Sequence, residues 1–124
     1  NFSAVQASVP LIVRWPGKTP RRFPHRTSHV DVAPTLLADA LGVTTPPGRL
    51  SQGRLLTDDS PRPYVVVSSW DSFALVGEER IDVSLSTGEV ETHRATDYGP
   101  WEDAPMQTAM LLDAVKSLSR FYAR

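Results

Sequence analysis

The chain has no cysteine among its 124 residues. That absence excludes disulfide staples, thiolate metal sites and thiol nucleophiles together. It leaves the compartment open, because a cysteine-free chain tolerates reducing and oxidising surroundings alike. Long apolar runs are missing too: the longest, Val9 to Val13 and Tyr64 to Val67, fall far short of the roughly 18 residues of a membrane span. Nor is there an excess of either charge, since 13 Lys and Arg stand against 14 Asp and Glu, with a pI of about 6.3. No global field therefore draws the chain to nucleic acid or to an anionic membrane surface. The opening lacks Met and the charged, apolar and small-residue regions of a secretory leader, and the expectation is a cut through a longer protein.

What is present suits a folded unit. Hydrophobic residues make up 40% and charged residues 22%, the composition of a globular domain. Val9 to Trp15 (VPLIVRW), stopped by Pro16-Gly17, reads as a short strand buried on both faces. Lys18 to Arg26 is rich in Pro and Arg and reads as an irregular crossing. Asp31 then offers a helix cap with Pro34 in the first turn, and Ser28 is an alternative cap with Asp31 as its capping-box partner. Leu36, Leu37, Ala40 and Leu41 supply an apolar face and Gly42 a stop, which predicts a helix over Val32 to Leu41. From Val43 to Pro63 the Pro, Gly, Ser, Thr and Asp content predicts a long surface connection.

Three β-rich stretches follow, Tyr64 to Trp70, Phe73 to Val76 and Arg80 to Leu85, with a further candidate from Glu89 to Arg94 beyond Thr87-Gly88. Their short separations predict an antiparallel meander over 64–94. Ile81, Val83 and Leu85 alternate with Asp82, Ser84 and Ser86, so one face is expected buried and the other wet. Leu111, Val115, Leu118 and Tyr122 recur at helical spacing, predicting an amphipathic terminal helix from about Met106 to Tyr122. The fold class is α/β, in detail an α+β fragment with a short antiparallel sheet and two main helices. Its parts are strand, basic loop, helix and connection over 1–53, meander over 64–94 and terminal helix over 106–122.

Chemistry is sparse. His25, His29 and His93 are the only histidines, and they include no pair at ligand spacing on a helix, so no metal site is read here. His29 and Asp31, two apart, fit a hydrogen-bonded His beside a capping Asp as well as a weak metal pair. No G-x-S-x-G elbow occurs, and Gly48 to Gly53 (GRLSQG) lacks the Lys and Ser/Thr of a phosphate loop. Glu78, Glu79 and Asp82 could form an acid/base pair, but a solvated hairpin turn accounts for them. Trp15, Trp70 and Trp101 are expected in core or subunit packing rather than on a ligand. Lys18, Arg21, Arg22 and Arg26, beside Phe23 and His25, fit either a solvated loop or an anion-binding patch for a lipid headgroup.

Two segments carry a resemblance. Ser28 to Gly42 (SHVDVAPTLLADALG) resembles the His-x-Asp-x-x-Pro-Thr-Leu-Leu segment near the C-terminal end of sulfatases and related members of the alkaline phosphatase superfamily. Asn1 to Gly17 (NFSAVQASVPLIVRWPG) is similar to the strand that follows their final metal-binding His. Gly42 to Gly53 (GVTTPPGRLSQG) and Ser119 to Arg124 (SRFYAR) resemble the YejM (PbgA) group of bacterial inner-membrane proteins, which carry a periplasmic sulfatase-like domain behind membrane spans.

The resemblance implies the C-terminal subdomain of an alkaline-phosphatase/sulfatase-like fold. The parent would be a metal-dependent hydrolase or phosphoryl-headgroup transferase on the periplasmic side of the bacterial inner membrane. Metal in active relatives polarises the ester and activates a Ser, Thr or formylglycine nucleophile. By this alignment every such position precedes Asn1, so no catalytic or metal-binding residue carries over, and the fragment alone is expected to be inactive. No cofactor is expected within it, although a divalent metal is implied for the parent. Its first expected partner is the upstream part of its own domain. His29 either fixes the helix entry or touches substrate. The alternative function is a non-catalytic module of a pseudoenzyme in lipid homeostasis, binding anionic lipid or lipopolysaccharide through Lys18, Arg21, Arg22 and Arg26, or regulating a protein partner.

Overall fold

The computed structural model describes residues 2–122. Its elements run α1 (Ala4–Ala7), a 3-10 turn (His29–Asp31), α2 (Val32–Leu41), α3 (Pro47–Leu50), β1 (Val65–Ser68), β2 (Phe73–Val76), β3 (Arg80–Ser84), β4 (Val90–Arg94) and α4 (Thr108–Ser119). The class is α+β, with one four-stranded sheet and two main helices, as the sequence predicts. Two compact units form, one from Gly17–Arg62 and one from the chain up to Pro16 together with the chain from Pro63 onward.

The larger unit is built on the antiparallel sheet β1-β2-β3-β4. Each strand follows the last through a tight turn. Ser69 N–H donates to the Ser72 carbonyl, Gly77 N–H to that of Arg80, and Leu85 N–H to that of Glu89, where Gly88 adopts φ 87°. Because side chains alternate along a strand, Ala74, Ile81 and Val83 share one face. They close a small core with Phe2, bordered by Val67, Val76 and Tyr98.

The opposite face is not wet. Leu75, Asp82 and Thr92 are cross-strand partners on it, and Leu75 and Asp82 are both buried. The expectation that Asp82 faces water fails because Trp101, Met106 and Leu111, from the loop before α4 and from α4 itself, line the same cleft as Leu75 and Asp82. A covered face must satisfy its polar groups internally. Asp82 does so, accepting from Arg80 Nε at 2.9 Å and from Thr92 Oγ1 at 2.7 Å, with a further short contact from Arg80 Nη2.

Helix α4 is shorter than the predicted Met106 to Tyr122, and its inward stripe is different. Ala114 is fully buried and Leu111 and Leu118 are half-buried, while Val115 and Tyr122 are exposed. Positions 111, 114 and 118 make the narrower seam of a helix covering one cleft. Tyr64 ties this helix to the start of β1 by donating its hydroxyl to Asp113 at 2.8 Å. Partial burial and that neighbouring carboxylate push the Tyr64 phenol up to about 12.

The strand expected over Val9 to Trp15 is absent. The segment is extended but carries no ladder among the described residues, and Ile12 is 91% exposed. A strand exists only when a neighbour accepts its hydrogen bonds, and this unit supplies none to that segment. A short helix, α1, precedes it instead, closed by Ser8 N–H donating to Ala4. The tryptophans do not form the core either: Trp70 stands in the β1–β2 turn almost wholly in solvent.

In the smaller unit α2 spans the predicted residues, and Gly42 ends it at φ 67°. That left-handed turn lets Val43 N–H reach back to the Leu37 carbonyl at 3.0 Å, the usual closure of a helix C-terminus. Its predicted apolar face is mostly solvent-facing, with Leu36 and Leu41 exposed and Pro34 and Thr35 buried instead. The connection after it is largely irregular as expected, broken by the short α3 with Pro47 in its first turn.

Candidate functional site

The segment SHVDVAPT folds around one carboxylate. Asp31 does not cap α2 with its side chain. It turns inward and accepts four hydrogen bonds: from Ser28 N–H at 2.7 Å, from Arg54 N–H at 3.0 Å, and from both terminal nitrogens of Arg62 at 2.7 Å each. The bond from Ser28 is the carboxylate half of the alternative capping arrangement. The fork from Arg62 is the bidentate geometry that makes arginine–carboxylate pairs directional.

Thr35 extends this hub. Its hydroxyl donates to the Asp31 carbonyl at 2.6 Å and accepts from Leu56 N–H at 2.8 Å. His25 Nε2 lies 2.8 Å from the Leu56 carbonyl, and because a carbonyl can only accept, that ring nitrogen carries a hydrogen. Gly53 completes the packing, since a Cβ there would collide with the Val30 carbonyl.

Electrostatics decides what Asp31 can do. Burial alone would raise its carboxyl, but the hydrogen bonds from Arg62, Arg54 and Ser28 and the guanidinium charge outweigh it and hold the group below the ordinary value of 3.8. A carboxylate so stabilised is a poor base, and its oxygens are committed to protein donors. Asp31 is a positioning residue that fixes the turn before α2 and the strap carrying Arg54 and Arg62.

His29, next to it, is exposed at the start of the 3-10 turn. The clamp on Ser28 and Asp31 therefore fixes the backbone on either side of a solvent-facing imidazole. Lys18 lies 3.9 Å from Asp39, the Arg21 guanidinium lies over the Phe23 ring at 4.7 Å, Arg22 is exposed, and the Arg26 carbonyl accepts from Arg54 at 3.4 Å. Glu78 and Glu79 occupy the β2–β3 turn, whereas Asp82 is buried within β3 and held by Arg80 and Thr92.

Among the described residues no group of three or more His, Asp or Glu is arranged to hold a metal ion. The residues present do not fit the divalent metal that the resemblance implies for a parent, and no chemical step runs through one here. Nor is any helix among the described residues long and apolar enough to cross a membrane.

Sequence reasoning missed Arg62 and Arg54, which lie 31 and 23 residues from Asp31. The Pro61-Arg62-Pro63 triplet was the available signal, because flanking prolines stiffen the backbone that presents an arginine. It also missed the Arg80–Asp82 pair, although two residues of spacing on a strand put both on one face.

No family model matches the chain. Two curated proteins are similar along its length: inner membrane protein YejM of Salmonella typhimurium (strain LT2) and the protein of that name from Salmonella typhi. Each is 27% identical over 124 residues, covering 99% of this chain and 21% of the relative. The chain thus spans about a fifth of the length of these relatives, 21% in each. It resembles a portion of an inner membrane protein.

Proposed function

We propose that this chain is the C-terminal, fold-completing portion of a sulfatase-like protein of the bacterial inner membrane, lying on the periplasmic side. The parent would be a metal-dependent hydrolase or phosphoryl-headgroup transferase whose nucleophile and metal ligands lie outside these residues. The observation that carries the reading is the segment from Val9 to Val13, an extended apolar run with Val9, Leu11, Ile12 and Val13 all exposed. Such a run is costly in water at roughly 25 cal/mol per Å² of apolar surface, and it has the composition of a strand buried on both faces. A sheet in the remaining four-fifths of the protein would cover it, and the 21% coverage of the relatives leaves room for one.

The Asp31 hub supports the same reading. It gives the His-x-Asp segment a structural task, holding α2 and the strap to Arg62 in shape so that the exposed His29 and the apolar edge of α2 are presented together. Catalysis would belong to the parent.

The test adds one thiol to a stretch of 124 residues that holds no cysteine and reads its labelling against the unsubstituted protein. Ile12→Cys in the complete reading frame should react slowly with a maleimide under native conditions and rapidly in urea. Equal rates in both conditions would show that the segment stays in water in the whole protein, and the fold-completing reading would fall. Turnover of aryl sulfate or phospholipid headgroup esters by the whole protein, lost on chelation, separates an active parent from a pseudoenzyme.

A further inference from the structure

Trp70 and the cleft on the covered face of the sheet take no part in the reading above. Trp70 sits with Asp71 at the tip of the β1–β2 hairpin, where Ser69 N–H donates to the Ser72 carbonyl. Two-residue hairpin tips favour Asn and Gly because the matching turns need positive φ. Neither Trp70 nor Asp71 adopts it, so turn geometry does not account for a tryptophan there. Nor does packing within the chain, since the side chain is 99% exposed. With both faces of its ring bare, Trp70 is a knob standing off the surface and not a platform backed by protein. Only a partner that encloses a knob can cover it, and enclosed tryptophans are among the strongest interface anchors.

The cleft offers such an enclosure. It has a volume of about 500 Å³, within the roughly 300–1,000 Å³ of sites that hold compact organic groups. Leu75 and Val90 belong to its floor, and Trp101, Met106 and Leu111 line it as well. Its buried charge is cancelled, because Asp82 is held by Arg80 and Thr92. Glu102, exposed and also lining the cleft, leaves an acceptor for an indole N–H, which usually finds a hydrogen bond when buried. Knob and cleft also share one end of the sheet. Val90 pairs with Ser84 and Ser84 with Phe73, the first residue of β2 after the hairpin turn. A surface that carries a knob and a hole at the same end can meet a copy of itself through a two-fold axis, each filling the other.

We propose that two copies of this chain associate reversibly about a two-fold axis, with Trp70 of each seated in the cleft of the other. Two indoles of roughly 150–250 Å² each, with the walls they cover, bury roughly 600–1,000 Å². That area suits a weak, exchanging complex and not a permanent one. Symmetry closes the pair, so association stops at two. Asp71 and Glu102 both come to the rim, and because like charges repel, added salt should tighten the dimer.

Sedimentation of the protein from the complete reading frame, over a range of concentrations, tests this directly. It should show a reversible monomer–dimer equilibrium. Trp70→Ser removes the knob, and Met106→Glu puts a charge into the cleft at a position 67% exposed. Each should raise the dimer Kd at least about thirtyfold and leave the melting temperature of dilute protein unchanged. Mixing the two variants is the sharper measurement. The Trp70→Ser copy keeps an intact cleft and the Met106→Glu copy an intact knob, so the mixed pair regains one of the two contacts and should associate more tightly than either variant alone. A protein that stays monomeric, a dimer that survives either substitution, or variants that associate no better mixed than apart would each overturn the assignment. None of these outcomes depends on whether Ile12 is covered, so the two proposals fail separately.

Discussion

Asp31 shows how much one side chain can organise. Removing one partner of a buried ion pair leaves the other charged and unpaired, so Asp31→Ala should destabilise the smaller unit by about 3–5 kcal/mol. Urea denaturation of the variant against the parent chain measures it. The pH dependence follows from the depressed carboxyl. The native state holds this proton less tightly than the unfolded chain, so its contribution is complete above the ordinary value of 3.8 and is lost as pH falls through the lowered native value. Stability measured from pH 7 down to pH 3 should drop more steeply in the parent than in Asp31→Asn. Glycine offers a matched pair of tests at the same scale. Gly53→Ala drives a Cβ into the Val30 carbonyl and should cost about 1–3 kcal/mol. Gly48→Ala meets nothing within contact distance inside α3 and should be neutral or stabilising by up to about 1 kcal/mol. Thermal melting of the two variants checks the contrast.

At the scale of elements, the covered sheet face and α4 depend on each other. Ala114 is fully buried and Leu112 is 54% exposed, though both are apolar residues of one helix. Ala114→Leu should therefore cost about 1–3 kcal/mol through overpacking, whereas Leu112→Ser should stay within about 0.5 kcal/mol. Equal effects would mean that the inward stripe is misplaced. Tyr64 reports on the same contact. With its phenol raised to about 12 in the folded state, its contribution is complete below the ordinary value of 10 and is lost as pH rises through about 12. Absorbance titration should show one late-ionising tyrosine that Asp113→Asn brings closer to the ordinary value.

Across the whole molecule, protection is uneven. Leu75, Ile81 and Ala74 are shut off from solvent on the two central strands, while the segment from Val9 onward has no ladder among the described residues. Native-state hydrogen exchange should find the slowest amides in β2 and β3 and near-unprotected amides over 9–15, because local opening is cheapest where few groups are buried or bonded. In the complete protein, the 9–15 amides should become protected if that segment enters a sheet.

Local patterns in the sequence determined the α+β class, all four strand positions, the meander and both ends of α2. Each rests on interactions between near neighbours: turn residues, period-2 alternation, and Gly42 at a left-handed helix end. The short helices α1 and α3 escaped notice because four residues carry too little pattern to register. Tertiary structure alone decided the Asp31–Arg62 clamp, the burial of Asp82 and the state of Val9 to Trp15. An arginine 31 residues away chose the orientation of Asp31, and a covering helix turned a polar strand face into a floor. Apolar composition can make a segment suitable for a strand, but only a neighbouring backbone makes it one. Periodicity states which side chains share a face, and it is packing that decides whether that face meets water.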